Sequence, residues 1–195
     1  MRTSTISRET KETVISLAIN LDGSGKTQLN TGVGFFDHML DAFSRFALVD
    51  LEVTCKGDLY VDDHHTVEDV GICLGKAIRE ALGDRAGIRR VGSAYMPMDE
   101  ALAFAAIDIS GRPYLAYTAD FATVACGGMG TQLAEEFFRA VTVNAGLTVH
   151  LNVVAGRNDH HKMEAMFKAF GLALRDAMAA DPRVTGVLST KGALD

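Results

Sequence analysis

Two stretches of the chain carry side chains suited to holding metal ions. Asp63-His64-His65-Thr66-Val67-Glu68 returns as Asp159-His160-His161-Lys162-Met163-Glu164, an offset of 96 residues. The register persists past the motif, with Gly75 falling on Gly171, Arg79 on Arg175 and Ala81 on Ala177. Four of the six histidines lie in these two copies. On a helix, Glu68 shares a face with His64, four residues away, or with His65, three away. The two histidines are adjacent and project about 100° apart. One imidazole can therefore bind the ion that Glu68 binds while the other reaches a second ion. A single His-His-x-x-Glu also has a plainer use, because a carboxylate near a helix start is favoured by the helix dipole. Two copies in register, holding most of the histidine, point to metal ligation.

The elements that position these residues follow from periodicity. Val67, Val70, Leu74, Ile78 and Ala81 recur at helical spacing after the first motif, and Met163, Phe167, Phe170, Leu174 and Ala177 after the second. Each motif is thus expected at or near a helix N-terminus. Phe35 to Phe43 reads as an earlier helix with Phe36, Met39, Leu40 and Phe43 on one face, and it carries His38. Leu51 to Val61 reads as a hairpin between that helix and the first motif. The second half repeats the order: a helix from Leu133 to Ala140, an alternating strand from Leu147 to Val153, then the motif. Glu136 holds the position that corresponds to His38. Each half thus offers one ligand position from an earlier helix and three from its motif. His150 falls in the strand and is read as structural.

Upstream, residues 2–21 alternate around Thr13–Ile19 and read as a strand. Asp22-Gly23-Ser24-Gly25 reads as a hairpin turn and Lys26 to Asn30 as the returning strand. The Gly-x-Gly there lacks the third glycine and the following helix of a phosphate loop. Leu102 to Ile109 reads as a strand, and Asp120 to Gly130 as a mobile loop. On composition alone, Arg90, Arg112 and Lys191 are solvated surface residues.

The 195 residues suffice for one ordinary domain or two small halves sharing a core. The duplication favours the latter, with halves at 1–92 and 93–195 forming one compact catalytic unit. Hydrophobic content of 48% with 23% charged residues reads as soluble and globular. A net charge of −6 gives no footprint for nucleic acid. No stretch has the length and apolarity of a membrane span, and no apolar run follows Met1-Arg2-Thr3-Ser4 as in a signal peptide. Cys55, Cys73 and Cys126 are odd in number and lack CxxC spacing, so they are expected reduced, in the cytoplasm.

Taken together, the motifs resemble the imidazoleglycerol-phosphate dehydratase family, from Glu12 to Leu194. The resemblance rests on Thr31-Gly32-Val33-Gly34-Phe35-Phe36-Asp37-His38-Met39-Leu40, His64 to Gly71, Pro97 to Leu102, and Ser110-Gly111-Arg112-Pro113. It rests also on Asn158 to Glu164 with Phe167-Lys168-Ala169, and on Ser189-Thr190-Lys191-Gly192. It implies an α+β fold, an internally duplicated unit in which each half is a four-stranded sheet packed on two helices. It implies the loss of water from D-erythro-imidazole glycerol phosphate to give imidazole acetol phosphate in histidine biosynthesis. A dinuclear metal site would bind the substrate as imidazolate, with Mn(2+), two per chain, as the cofactor. The ligand set would also admit Fe(II), Zn(II) or Co(II).

Carried over by position, His38, His64, His65, Glu68, His160, His161 and Glu164 match the family's metal ligands. Glu12 matches a substrate-contacting carboxylate associated with proton transfer. Arg90, Arg112, Lys168, Ser189, Thr190 and Lys191 match substrate contacts, mostly to the phosphate, which displaces the solvated-surface reading for those positions. The resemblance further implies a homo-oligomer, a shell of 24 subunits with active sites at subunit interfaces. Its partner is a small phosphorylated imidazole, with no nucleic acid and no membrane. The chain departs from the family pattern at Glu136, where many relatives have His, at Val91 (Tyr) and at Leu188 (Pro). Glu136 is either a ligand or a residue that has left the site. Two rival readings are a dinuclear phosphoester hydrolase and a metal-storage protein. Storage sites in helical bundles use Glu-x-x-His, whereas the order here is His-His-x-x-Glu.

Overall fold

The N-terminal alternation breaks into two strands where one was expected. In the structure, a computed structural model describing residues 1–194, β1 (Thr3–Glu9) and β2 (Thr13–Asn20) pair antiparallel, with Thr3 opposite Asn20. The turn between them is made by Thr10, whose hydroxyl oxygen accepts from the backbone N–H groups of Glu12 at 3.1 Å and Thr13 at 3.0 Å. Thr10-Lys11-Glu12 has no Gly, Pro, Asn, Asp or Ser, and only the weaker turn-forming hydroxyl of Thr10 marks it.

The next expectation fails for a non-local reason. β3 (Thr27–Asn30) does not return along β2, because β4 (Asp50–Gly57) inserts between them, antiparallel to β2 and parallel to β3. The Asp22–Gly25 segment is still a turn, tied to β4 by Asp50, whose carboxylate accepts from Ser24 N–H at 2.8 Å and Lys26 N–H at 3.0 Å. A parallel pair needs a crossover, and α1 (Gly34–Ala47) supplies it. The hairpin expected at Leu51–Val61 is absent as well. After β4, Val61 N–H closes a turn on the Asp58 carbonyl at 2.8 Å, and the chain enters α2 (His64–Leu82). The order is helix, strand, helix.

The second half runs β5 (Val91–Met98), β6 (Ala101–Asp108), β7 (Tyr114–Thr118), β8 (Ala125–Cys126), β9 (Met129–Gly130), α3 (Leu133–Ala145), β10 (Thr148–Ala155) and α4 (Asp159–Met178). Its sheet order, β5-β6-β10-β7, reproduces β1-β2-β4-β3. Each half is therefore a four-stranded sheet with two helices, the duplicated α+β unit expected, and the second half adds the short β8–β9 pair. The segment read as a mobile loop instead closes as the β8–β9 hairpin, with its turn at Gly127 and Gly128 (φ 53° and 89°) and Met129 fully buried.

The halves join through their helices in crossed pairs, α1 against α4 and α2 against α3. Two glycines that correspond in the duplication permit the close approach. A Cβ on Gly171 would stand 2.6 Å from the Phe43 carbonyl oxygen, and one on Gly75 would stand 2.6 Å from that of Val141. Phe36 and Phe43 of α1, Phe137 and Phe138 of α3, and Phe167 and Phe170 of α4 are fully buried in one shared core. Truncating such a ring typically costs about 3–5 kcal/mol.

Candidate metal centre

The crossed packing decides which residues meet. His38 on α1 joins His160 and Glu164 on α4, and their ligand atoms lie within 4.8 Å of one another. His160 Nε2 is 3.2 Å and His38 Nε2 3.4 Å from Glu164 Oε2. The earlier helix of one half thus serves the motif of the other. The Phe35 ring stands edge-on to His160 at 5.0 Å between centroids and helps orient it. Glu164 is only 6% exposed, while the His38 and His160 side chains are 47% and 46% exposed. Lys168 Nζ takes the other carboxylate oxygen, Oε1, at 2.5 Å. Burial raises the Glu164 pKa, but the Lys168 bond and charge, with His38 and His160, outweigh it and hold the carboxyl below its ordinary value. The group is therefore an anion with one oxygen turned to two imidazoles. This donor set fits Mn(II), Fe(II), Zn(II) or Co(II).

The second histidine of each motif points elsewhere, as adjacent helical positions require. His65 Nδ1 lies 3.1 and 3.0 Å from the two carboxylate oxygens of Asp58, and its Nε2 lies 3.7 Å from Glu12. His161 Nδ1 lies 2.8 Å from Glu100, and its Nε2 lies 3.7 Å from Asp99. A carboxylate on Nδ1 fixes the tautomer and presents Nε2 as the donor, the usual support of a metal-binding histidine. The Asp58 bond raises the His65 pKa, and the Glu100 bond raises that of His161. Glu100 is lowered to about 2, first by His161 and then by the N–H groups of Asn158 and Arg157. Sequence reading missed Asp58, Asp99 and Glu100. A signal existed for Glu100, which precedes β6 at Ala101 as Glu12 precedes β2 at Thr13.

The motif on α2 is less complete. His64 Nε2 lies 3.7 Å from Glu68, and both side chains are well exposed. Among the described residues no third donor joins them in a cluster. Glu136, the counterpart of His38, lies 4.0 Å from Arg139, which binds Glu135 at 2.5 Å.

The residues expected at the phosphate separate into groups. Arg90, Ser189 and Thr190 line one cavity of about 500 Å³, together with Leu188 and with Arg183, which sequence reading passed over. Lys191 is exposed beside it, its N–H donating to Ser189 Oγ at 3.2 Å. Arg112 is exposed in the Ser110–Pro113 turn. Lys168 is committed to Glu164 and lies over the Phe46 ring, 5.3 Å from its centroid.

Fold and site together define a duplicated unit whose crossed helix pairs present histidine and carboxylate donors. A family profile described as Imidazoleglycerol-phosphate dehydratase matches residues 31–174. The chain is 59% identical over 189 residues to the imidazoleglycerol-phosphate dehydratase of Acetivibrio thermocellus, covering 97% of each chain. It is 57% identical over 194 residues to that of Ruminiclostridium cellulolyticum, covering 100% of each. Among solved structures, the Staphylococcus aureus dehydratase superposes with a TM-score of 0.84 at 41% identity, covering 92% of this chain and 99% of that one. The Pyrococcus furiosus structure, solved with (S)-C348, gives 0.83 at 38% identity, covering 97% and 100%. The chain belongs to the imidazoleglycerol-phosphate dehydratase family. It is an enzyme of histidine biosynthesis.

Proposed function

We propose that this chain removes water from D-erythro-imidazole glycerol phosphate, giving imidazole acetol phosphate, at a centre holding two Mn(II) ions per chain. The observation that carries the reading is the His38–His160–Glu164 cluster, built across the two halves, with His161 on the same helix turned to a different side. Bound metal would act as a Lewis acid and template on the imidazole ring held as imidazolate, making up for the absence of a carbonyl beside the carbon that loses its proton. The chain's own groups supply the rest. His38 and His160 Nε2 and Glu164 Oε2 converge as donors, and Lys168 keeps Glu164 ionised. Asp58 and Glu100 orient His65 and His161 through Nδ1.

Glu12 stands exposed with Oε1 3.7 Å from His65 Nε2, in position to carry a proton. The carbon-bound proton and the neighbouring hydroxyl leave as water, and the enol that remains becomes the ketone. Arg90, Ser189 and Thr190, with Arg112 and Lys191, hold the phosphate, while Lys168, paired with Glu164, serves the metal ligand and lends positive charge to the site. His64 and Glu68 leave coordination open, and the Nε2 atoms of His65 and His161, beside Glu12 and Asp99 on partly exposed rings, suit an ion shared with a neighbouring subunit. Both features support active sites at interfaces of a 24-subunit homo-oligomer. Among the described residues no helix is long and apolar enough to cross a membrane.

The test is incubation of the purified protein with imidazole glycerol phosphate, with and without Mn(II), following the ketone. Metal-dependent ketone formation supports the reading. Release of inorganic phosphate from simple esters without ketone would favour the hydrolase instead.

A further inference from the structure

Arg90 is held more firmly than a surface cation needs to be. Its backbone lies in the left-handed region at φ 70°, which is costly for a residue with a Cβ. Its N–H donates to the Ala177 carbonyl at 2.8 Å, and its carbonyl accepts from Ile109 N–H at 3.0 Å. The side chain is fixed as well. Asp108, the last residue of β6, takes Nε on Oδ1 at 2.7 Å and Nη2 on Oδ2 at 2.9 Å. Nη1 donates to the Leu188 carbonyl at 2.8 Å. Three of the five guanidinium N–H donors are thereby used. The remaining two belong to a group that lines the cavity with Ser189 and Thr190. Arg183 is paired with Asp181 in the same two-point way, but its side chain is 84% exposed, against 18% for Arg90. A pair in open solvent contributes little, whereas the sheltered one fixes geometry.

We propose that Asp108 is the positioning residue for the phosphate end of the site. Acting through Arg90, it aims the two free donors at an anion and fastens the Leu188 carbonyl, so that Ser189 and Thr190 stay in the cavity wall. This rests on reading that cavity as the phosphate seat. Asp108 itself does not touch substrate. An asparagine there would retain one acceptor oxygen and turn an amide N–H toward the guanidinium, ending the two-point pairing.

The experiment compares wild type, Asp108→Asn, Arg90→Ala and the double variant in Mn(II)-loaded protein. In Asp108→Asn the KM for imidazole glycerol phosphate should rise about tenfold or more. kcat should stay within about threefold and bound Mn(II) should be unchanged, since the phosphate is held equally in the ground and transition states and that uniform binding is what weakens. Calorimetric affinity for inorganic phosphate should fall by a similar factor. In the Arg90→Ala background, Asp108→Asn should add no more than about twofold, because both act as one unit. Wild-type KM and phosphate affinity in Asp108→Asn would overturn the inference, as would full additivity in the double variant. If Asp108→Asn does not fold, Arg90→Lys takes its place, since lysine cannot make the two-point pairing, and a wild-type KM there is equally fatal. A wild-type chain that makes no ketone would count against the functional reading, and phosphate calorimetry on the same variants would then decide the positioning role alone.

Discussion

At the scale of single residues, the centre depends on carboxylates kept charged and imidazoles kept turned. Glu164→Gln removes the anion between His38 and His160 and leaves the Lys168 ammonium, only 16% exposed, without its partner. Its Mn(II) affinity, measured by metal titration, should fall by more than the roughly 10- to 100-fold that removing a ligand's orienting partner costs. Glu136 is tested at this scale as well. If it ligates, Glu136→Ala should bind one Mn(II) more weakly and need a large excess of metal for turnover. Unchanged metal affinity and turnover would mean that its present place beside Arg139 is its only one. Burial raises the Asp159 pKa, but the bonds from Lys162 and Thr123 outweigh it and set the carboxyl below its ordinary 3.8. A depressed carboxyl contributes stability that is present above its unfolded value and lost as pH falls through the folded one. The metal-free protein should therefore lose Tm as the pH drops below about 4. Asp159→Asn should flatten that acid limb. It also strands the buried Lys162 at a cost of about 3–5 kcal/mol, or roughly 6–20 °C in Tm.

At the scale of elements, the site exists because α1 can lie close on α4. Gly171→Ala places a methyl group against the Phe43 carbonyl. It should cost about 1–3 kcal/mol and shift His38 enough to weaken Mn(II) binding even when the chain remains folded. Full metal affinity in that variant would show that His38 is not placed by this contact. The helix ends offer a milder test. α3 closes on Gly146 at φ 69°, while α1 closes on Leu48 at φ 55° in the corresponding position. Leu48→Gly should stabilise the protein by about 0.5–1 kcal/mol in denaturant melts, relief of the left-handed strain exceeding the entropy cost of glycine.

Sequence reading succeeded at this scale where the signal was local. Helical periodicity placed α1, α2, α3 and α4, and alternation placed β2, β6 and β10. It failed where pairing was non-local. The Asp22–Gly25 turn looks like a hairpin, yet β4 arrives from beyond α1 to separate β2 from β3. The Thr10 turn fails differently, being formed by a hydroxyl that composition does not flag.

At the scale of the whole molecule, the duplication was legible and its consequence was not. The offset between the two His-His-x-x-Glu copies gave two similar halves. Nothing in one strand of text says that α1 of the first half packs on α4 of the second, so that His38 belongs with His160 and Glu164. Glu100 acts on His161 from 61 residues away, so only its place before β6 hinted at it, whereas Asp58 reaches His65 from seven residues before it, across the turn that leads into α2. In the proposed assembly, the exposed His64 and Glu68 and the partly exposed His65 and His161 would be the groups that a neighbouring subunit completes. Metal shared between subunits would stabilise that assembly by linkage. Light scattering should find a large homo-oligomer with Mn(II) and smaller species after chelation. An unchanged monomer in both conditions would defeat this.

The central claim is that the two copies together hold two metal ions that the dehydration requires. Elemental analysis of the purified protein, titrated from metal-free with Mn(II) while ketone formation is followed, tests it most directly. Activity should rise with bound metal and level off at about two ions per chain. Full turnover in protein that carries no transition metal would contradict it.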